Sequence, residues 1–195
     1  MKPTDEQASA WTEAFDSGKF VRKSSEFRDS ISKGGAFDVE SGRYHLYISH
    51  ACPWAHRTLI MRTLLGLEGH ISVDVVDWRM NADGSWSFNP DEEGATADTV
   101  NGESSLEGIY NRAFEGWNES RSIGTVPVLW DKKHATIVNN ESREIIRMFN
   151  QFSKEGFGNG TTLCPPELMQ EIDNMIDANY ESVNNGVYKS GFART

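Results

Sequence analysis

The apolar positions of this chain change period several times, and each change predicts an element. YHLYIS (44–49) is a six-residue run carrying Tyr and Ile, a composition that suits a strand. CPWAHRTLIMRTLLG follows, with Leu59, Ile60, Arg62, Thr63 and Leu64 at helical spacing; Pro53 fits the first helical turn and Gly66 the C-terminal end. SVDVV (72–76) alternates like a second strand. TVPVLW (125–130) and ATIV (135–138) are the third and fourth, with DKKH between them as a hairpin turn. NNESREIIRMF opens with capping residues and an acidic first turn, then places Ile145, Ile146 and Phe149 on one face of a predicted helix. PPELMQEIDNMIDANYESV predicts another, with Leu168, Ile172, Met175 and Ile176 at i, i+4, i+7 and i+8.

Three stretches lack such a period. Residues 1–43 mix charged and aromatic residues, with Gly34-Gly35 as a break, and read as an N-terminal arm lying on the fold. Residues 77–122 are polar and Gly-rich, yet Trp78, Trp86, Phe88, Phe114 and Trp117 make them too aromatic for a mere connection. SSLEGIYNRAF supplies a short helix inside that insertion. Residues 153–163 are Gly-rich and read as an interdomain linker. The order is β-α-β-(long insertion)-β-β-α, then a linker and a helix, with no internal repeat.

Composition narrows the class. The chain has 195 residues, with 19 Lys+Arg against 29 Asp+Glu, so the formal net charge is 19 − 29 = −10. An acidic surface repels phosphate backbones, which argues against broad nucleic-acid binding. No apolar run approaches the roughly 20 residues needed to cross a bilayer, and the polar MKPTDEQ start is no secretory signal. The expectation is a soluble cytoplasmic protein without membrane contact. Two cysteines, Cys52 and Cys164, argue against a disulfide framework, and the five histidines (45, 50, 56, 70 and 134) form no zinc-ligand spacing with them, so no metal is expected.

Cys52 carries the chemistry. It follows a predicted strand and opens a predicted helix, directly before Pro53, where unpaired N–H groups and the helix dipole favour a thiolate. Cysteines so placed have pKa values lowered from about 8.5, which makes them nucleophiles at neutral pH. His56 and Arg57 add positive charge near that turn. Ala55 stands where a C-x-x-C pair would have its second cysteine, so Cys52 lacks a resolving thiol there. That predicts a monothiol cycle, in which Cys52 forms a mixed disulfide with an external thiol and a second external thiol releases it. Cys164, before Pro165-Pro166, reads as an incidental linker cysteine.

Two further positions are candidates for binding. A Val126-Pro127 bond in cis would let Val126 offer its backbone to an extended peptide; residues alone do not separate that from an ordinary trans proline at a sheet edge. Glu141-Ser142 opens the helix after ATIV. Free N–H groups there suit a carboxylate and the glutamate an ammonium group, as an amino acid would present them, although plain helix capping explains the same residues.

HACPWAHRTLIMR, TVPVLWDKKHATIVNNESREIIRMFN and YESVNNGVYKSGFA together resemble the glutathionyl-hydroquinone reductases, the xi-class, omega-like members of the glutathione transferase superfamily. KFVRKSSEFRDSI and VDWRMNADGSWSF also resemble that family, so the likeness runs from about Asp16 to the end. It implies an α/β fold: a thioredoxin-like N-terminal domain with a cis-proline, followed by the beginning of an all-α glutathione-transferase C-terminal domain. The implied boundaries are an arm over 1–43, the glutathione-binding domain over 44–152, a linker over 153–165 and the first helix of an incomplete helical domain over 166–195. The implied co-substrate is glutathione, the implied partners are quinone-derived conjugates, and Cys52 attacks the conjugate's sulfur. The family pattern places Trp86 beside glutathione, Val126 and Pro127 on its cysteinyl backbone, Glu141 and Ser142 at its γ-glutamyl end, and Tyr188 in the hydroquinone pocket.

The sequence departs from that pattern in two places. Ile123 stands where the family commonly has an arginine, and Arg121, two residues earlier, is the substitute to consider for the glutathione carboxylate. Family members also continue well past Thr195. The expectation is therefore an intact glutathione half-site, an incomplete apolar half-site, and a homodimer deprived of part of its contacts. Two alternatives remain open: a general omega-like thioltransferase or dehydroascorbate reductase, and a non-catalytic glutathione-fold module. A transferase activated by Ser or Tyr fits less well, because Cys52 occupies the nucleophile's position.

Overall fold

The computed structural model describes residues 24–117 and 124–191, and the two short strands β1 (Phe15–Asp16) and β2 (Lys19–Phe20). These fall into two compact units, one of Ser25–Thr162 and one of Met1–Ser24 with Leu163–Thr195.

The first unit is built on β3 (Tyr44–Ser49), a strand buried at every position. A strand covered on both faces reads as a near-continuous apolar run, which is why YHLYIS shows little alternation. β4 (Ile71–Val76) lies parallel to it, with Tyr44 opposite Ile71 and Ser49 opposite Val76. β5 (Val128–Asp131) lies antiparallel on its other side, and β6 (Thr136–Asn139) pairs antiparallel with β5, so the sheet order is β4-β3-β5-β6. The third strand begins at Val128 rather than Thr125, because Pro127 has no N–H to give a ladder. Residues 27–29 run along β6: Asp29 N–H donates to the Val138 carbonyl (3.0 Å) and Asn140 N–H to the Phe27 carbonyl (3.1 Å). That part of the arm covers an edge that would otherwise present unpaired backbone groups.

Three helices complete the unit: α1 (Pro53–Leu64), α2 (Leu106–Ala113) and α3 (Ser142–Lys154). The resulting order, β3-α1-β4-α2-β5-β6-α3, is the thioredoxin-like one. α1 packs against α3, and α2 against β6. On α3 the buried stripe is Ile145, Met148, Phe149 and Phe152, at i, i+3, i+4 and i+7. Ile146, expected on that stripe, is only half-buried. α1 buries Ala55 and Thr58, while Ile60 and Leu64 from its predicted apolar set are exposed. Trp130, Tyr44, Tyr47, Tyr110, Phe149 and Phe152 are the largest fully buried side chains.

Residues 77–105 have no long regular element. Their order comes from side chains bonding to backbone. Asp98 accepts from the N–H groups of Val100, Asn101 and Glu103, and from the Tyr47 hydroxyl at 2.8 Å. Asp74 of β4 accepts from both the N–H (2.7 Å) and the hydroxyl (2.9 Å) of Thr99. Residues 157–159, in the stretch read as a linker, close off the end of α1. Asn159 donates its N–H to the Leu65 carbonyl and its side-chain amide to the Leu64 carbonyl, both at 2.9 Å.

In the second unit β1 and β2 form an antiparallel pair, with Phe15 opposite Phe20. The predicted single helix is divided: a 3-10 turn at Pro166–Leu168, α4 (Met169–Asn179), a π-type turn at Tyr180–Asn184 and α5 (Gly186–Gly191). Cys164 is buried, its sulfur 3.4 Å from that of Met169. Among the described residues, no helix is long and apolar enough to cross a membrane.

Candidate active site

Cys52 is the residue that caps α1. Its backbone is extended (φ −98°, ψ 112°), its carbonyl accepts the first helical bond from His56 N–H at 2.9 Å, and Pro53 occupies the first helical position. The thiol thus stands at the N-terminal end of the helix, where its dipole stabilises negative charge. It is half-buried and not in a disulfide. Position 55, where a resolving cysteine would stand, is a fully buried alanine.

The Val126-Pro127 bond is cis. It faces the thiol directly: Cys52 Sγ donates to the Val126 carbonyl at 3.4 Å. The two candidate features, the cysteine and the backbone before the proline, therefore lie side by side.

Glu141 caps α3, its carboxylate accepting Arg143 N–H at 3.0 Å, and Ser142 is buried behind it. The carboxylate also reaches other partners. The Ser25 hydroxyl donates to Glu141 Oε2 (3.3 Å), and Arg57 of α1 lies 3.5 Å from Oε1. Arg57 also donates through Nε (2.9 Å) and Nη2 (2.6 Å) to the Ser142 hydroxyl, and its guanidinium lies over the Trp54 ring, 4.9 Å from the centroid. Its charge, expected near the thiol, is directed onto the start of α3. His56 is exposed.

Trp86 is held from the insertion helix. Its carbonyl accepts Leu106 N–H (2.9 Å), and its own N–H donates to Glu107 Oε2 (3.4 Å). Burial pushes the Glu107 carboxyl up, opposed by bonds from backbone N–H groups, including those of Trp86 and Gly124. Glu107 therefore touches the tryptophan segment and stands close to Gly124, in the segment leading to Val126. Sequence reasoning passed over Glu107 and Tyr110; only the SSLEGIYNRAF helix signal pointed to their segment. Tyr188 lies on α5, in the other unit. Arg121 and Ile123 fall outside the described residues. Among the described residues, no group of three His, Cys, Asp or Glu side chains could hold a metal ion.

Residues 51–151 match the model of the glutathione S-transferase N-terminal domain, a span opening beside Cys52 and closing within α3. The chain is 48% identical over 184 residues to glutathionyl-hydroquinone reductase YqjG of Escherichia coli, covering 90% of this chain and 55% of that protein. Its fold superposes on the crystal structure of the Xi glutathione S-transferase from Phanerochaete chrysosporium with a TM-score of 0.83 and 46% identity, over 90% of this chain and 59% of that one. It superposes with a TM-score of 0.79 and 46% identity on the glutathione-bound structure of YqjG from Escherichia coli K-12, over 87% and 56% of the two chains. The chain spans little more than half the length of the relatives it matches. A cysteine-capped helix start beside a cis-proline, on a β-α-β-α-β-β-α unit that this domain model and the Xi-class structures both match, leaves one assignment: the chain belongs to the glutathione S-transferase family.

Proposed function

We propose that this chain carries the glutathione half of a glutathionyl-hydroquinone reductase, with Cys52 as a single-thiol nucleophile. The observation that carries the reading is the Cys52 sulfur, at the start of α1 and 3.4 Å from the carbonyl preceding the cis-proline, with alanine at position 55. An extended glutathione backbone pairs with Val126 beside Pro127, strand fashion. Its γ-glutamyl end, one carboxylate and one ammonium, meets the N–H groups of α3 and the Glu141–Ser142 pair. Trp86 lines the same site.

The chemistry balances with thiols alone. The Cys52 thiolate attacks the sulfur of the conjugate; an S–S bond forms, the carbon–sulfur bond breaks, and the ring carbon takes a proton to leave as hydroquinone. A glutathione thiolate then attacks the mixed disulfide, releasing glutathione disulfide and restoring the Cys52 thiolate. The ring carbon is reduced by two electrons, and the conjugate's glutathionyl sulfur and one free glutathione thiol each give up one to form the disulfide. The cycle needs reduced glutathione, and we assign the chain to the cytoplasm, where thiols stay reduced.

Incubating the protein with a glutathionyl-hydroquinone, without free glutathione, tests the first half-reaction. Peptide mapping should find glutathione on Cys52 and about one hydroquinone released per chain. Hydroquinone release with no adduct on Cys52 would refute the mechanism. An adduct formed only from small mixed disulfides would favour the general thioltransferase.

A further inference from the structure

Two segments of the proposed glutathione site converge on one buried hydroxyl. Tyr110 of α2 is fully buried, and its hydroxyl donates to the Thr125 carbonyl at 2.8 Å while accepting from Thr125 N–H at 3.3 Å. It also accepts from Asn140 Nδ2 at 3.0 Å. Thr125 precedes Val126, and Asn140 precedes Glu141. Asn140 is itself fixed by the arm, its side-chain carbonyl accepting from Phe27 N–H at 3.3 Å. One turn earlier on the same helix, Leu106 and Glu107 hold both backbone groups of Trp86. Gly124 permits the close approach: a Cβ there would lie 3.1 Å from the Tyr110 ring and 3.3 Å from Glu107 Oε1.

We infer that Tyr110 is a positioning residue for glutathione, its hydroxyl setting the spacing between the Val126 backbone and the Glu141–Ser142 helix start so that the cysteinyl backbone and the γ-glutamyl end of the tripeptide are engaged together. The inference rests on the glutathione reading above. A tripeptide contacts these two segments at once, so binding depends on their separation as well as on each alone. The ring is anchored independently, 4.6 Å from the Trp117 ring and 5.7 Å from that of Phe27, so removing the oxygen leaves the packing in place. Burial pushes the phenol up, so the hydroxyl keeps its proton for the Thr125 carbonyl at any working pH.

Calorimetric titration of glutathione into the wild-type protein, Tyr110→Phe, Asn140→Ala, the double variant and Tyr44→Phe tests this. Tyr44 is an equally buried tyrosine at the opposite end of β3 from Cys52, its hydroxyl bonded to the Asp38 carbonyl at 2.6 Å. Loss of Tyr110's bonds should raise the dissociation constant about tenfold, with the Cys52 alkylation rate unchanged in the absence of glutathione. Asn140→Ala should weaken binding too, and the double variant should add little to the larger single effect. Tyr44→Phe should leave the affinity unchanged. Equal affinity in Tyr110→Phe and wild type, additive single effects, or an equal loss in Tyr44→Phe would overturn the inference alone. Failure of the wild-type protein to bind glutathione would overturn the glutathione reading with it.

Discussion

Arg43 and Asp131 form the most buried ion pair among the described residues, at 3% and 0% side-chain exposure. The guanidinium grips both carboxylate oxygens, at 2.8 Å and 2.6 Å, and Lys133 N–H donates to the same carboxylate at 2.9 Å. Burial raises the Asp131 pKa, but these bonds and the Arg43 charge outweigh it and hold the carboxyl below the usual range. A carboxyl depressed in the native state stabilises the fold above its unfolded value, near about pH 4, and that stability is lost as pH falls through the native value. Asp131→Asn should therefore cost about 3–5 kcal/mol at neutral pH, since it leaves Arg43 charged and buried with only the half-exposed Glu40, 3.6 Å away, as counter-ion. The deficit should shrink as pH drops below about 4. Urea unfolding across pH checks both; a deficit constant with pH would contradict the assignment. At the same scale, Cys52 was legible because its neighbours in sequence, Pro53 and Ala55, define its chemistry. Arg57's bonds to Ser142 were not, because they join residues 85 positions apart.

Elements with a clear period were read nearly to the residue: β3 at 44–49, β6 within one residue of ATIV, α3 from its capping residues. Residues 77–105 were read only as an insertion with structure of its own. Their order lies in carboxylates such as Asp98 gathering backbone N–H groups, which leaves no repeating apolar signal. The apolar period over 166–182 predicted one helix, whereas Asn185 N–H reaches back five residues to the Tyr180 carbonyl and opens a π-type turn. The end of α1 supplies the prediction at this scale. Gly158 has φ +75°, and a Cβ there would come within 2.1 Å of the Leu65 carbonyl oxygen. Gly158→Ala should thus disturb the Asn159 bonds that close α1 and destabilise the protein by about 2–4 kcal/mol, more than the left-handed backbone alone exacts. Thermal unfolding measures it, and a change below about 0.5 kcal/mol would contradict the close contact.

For the molecule as a whole, the described site residues fall mainly in one compact unit. Cys52, Trp86, Val126, Pro127, Glu141 and Ser142 all belong to Ser25–Thr162, while Tyr188 belongs to the other unit. The quoted motifs grouped these candidate residues but did not point to the helix that links their segments: α2 bonds to the segment before the cis-proline, to Trp86 and to the residue before Glu141. Those are tertiary bonds, invisible to spacing along the chain. The central claim is that Cys52 alone, with glutathione, reduces a glutathionyl-hydroquinone. Its most direct test is hydroquinone release from such a conjugate by the purified 195-residue chain under excess glutathione, beside Cys52→Ala. Multiple turnovers that vanish in the variant are predicted. Turnover that persists in Cys52→Ala, or none by the folded wild-type chain, would contradict it.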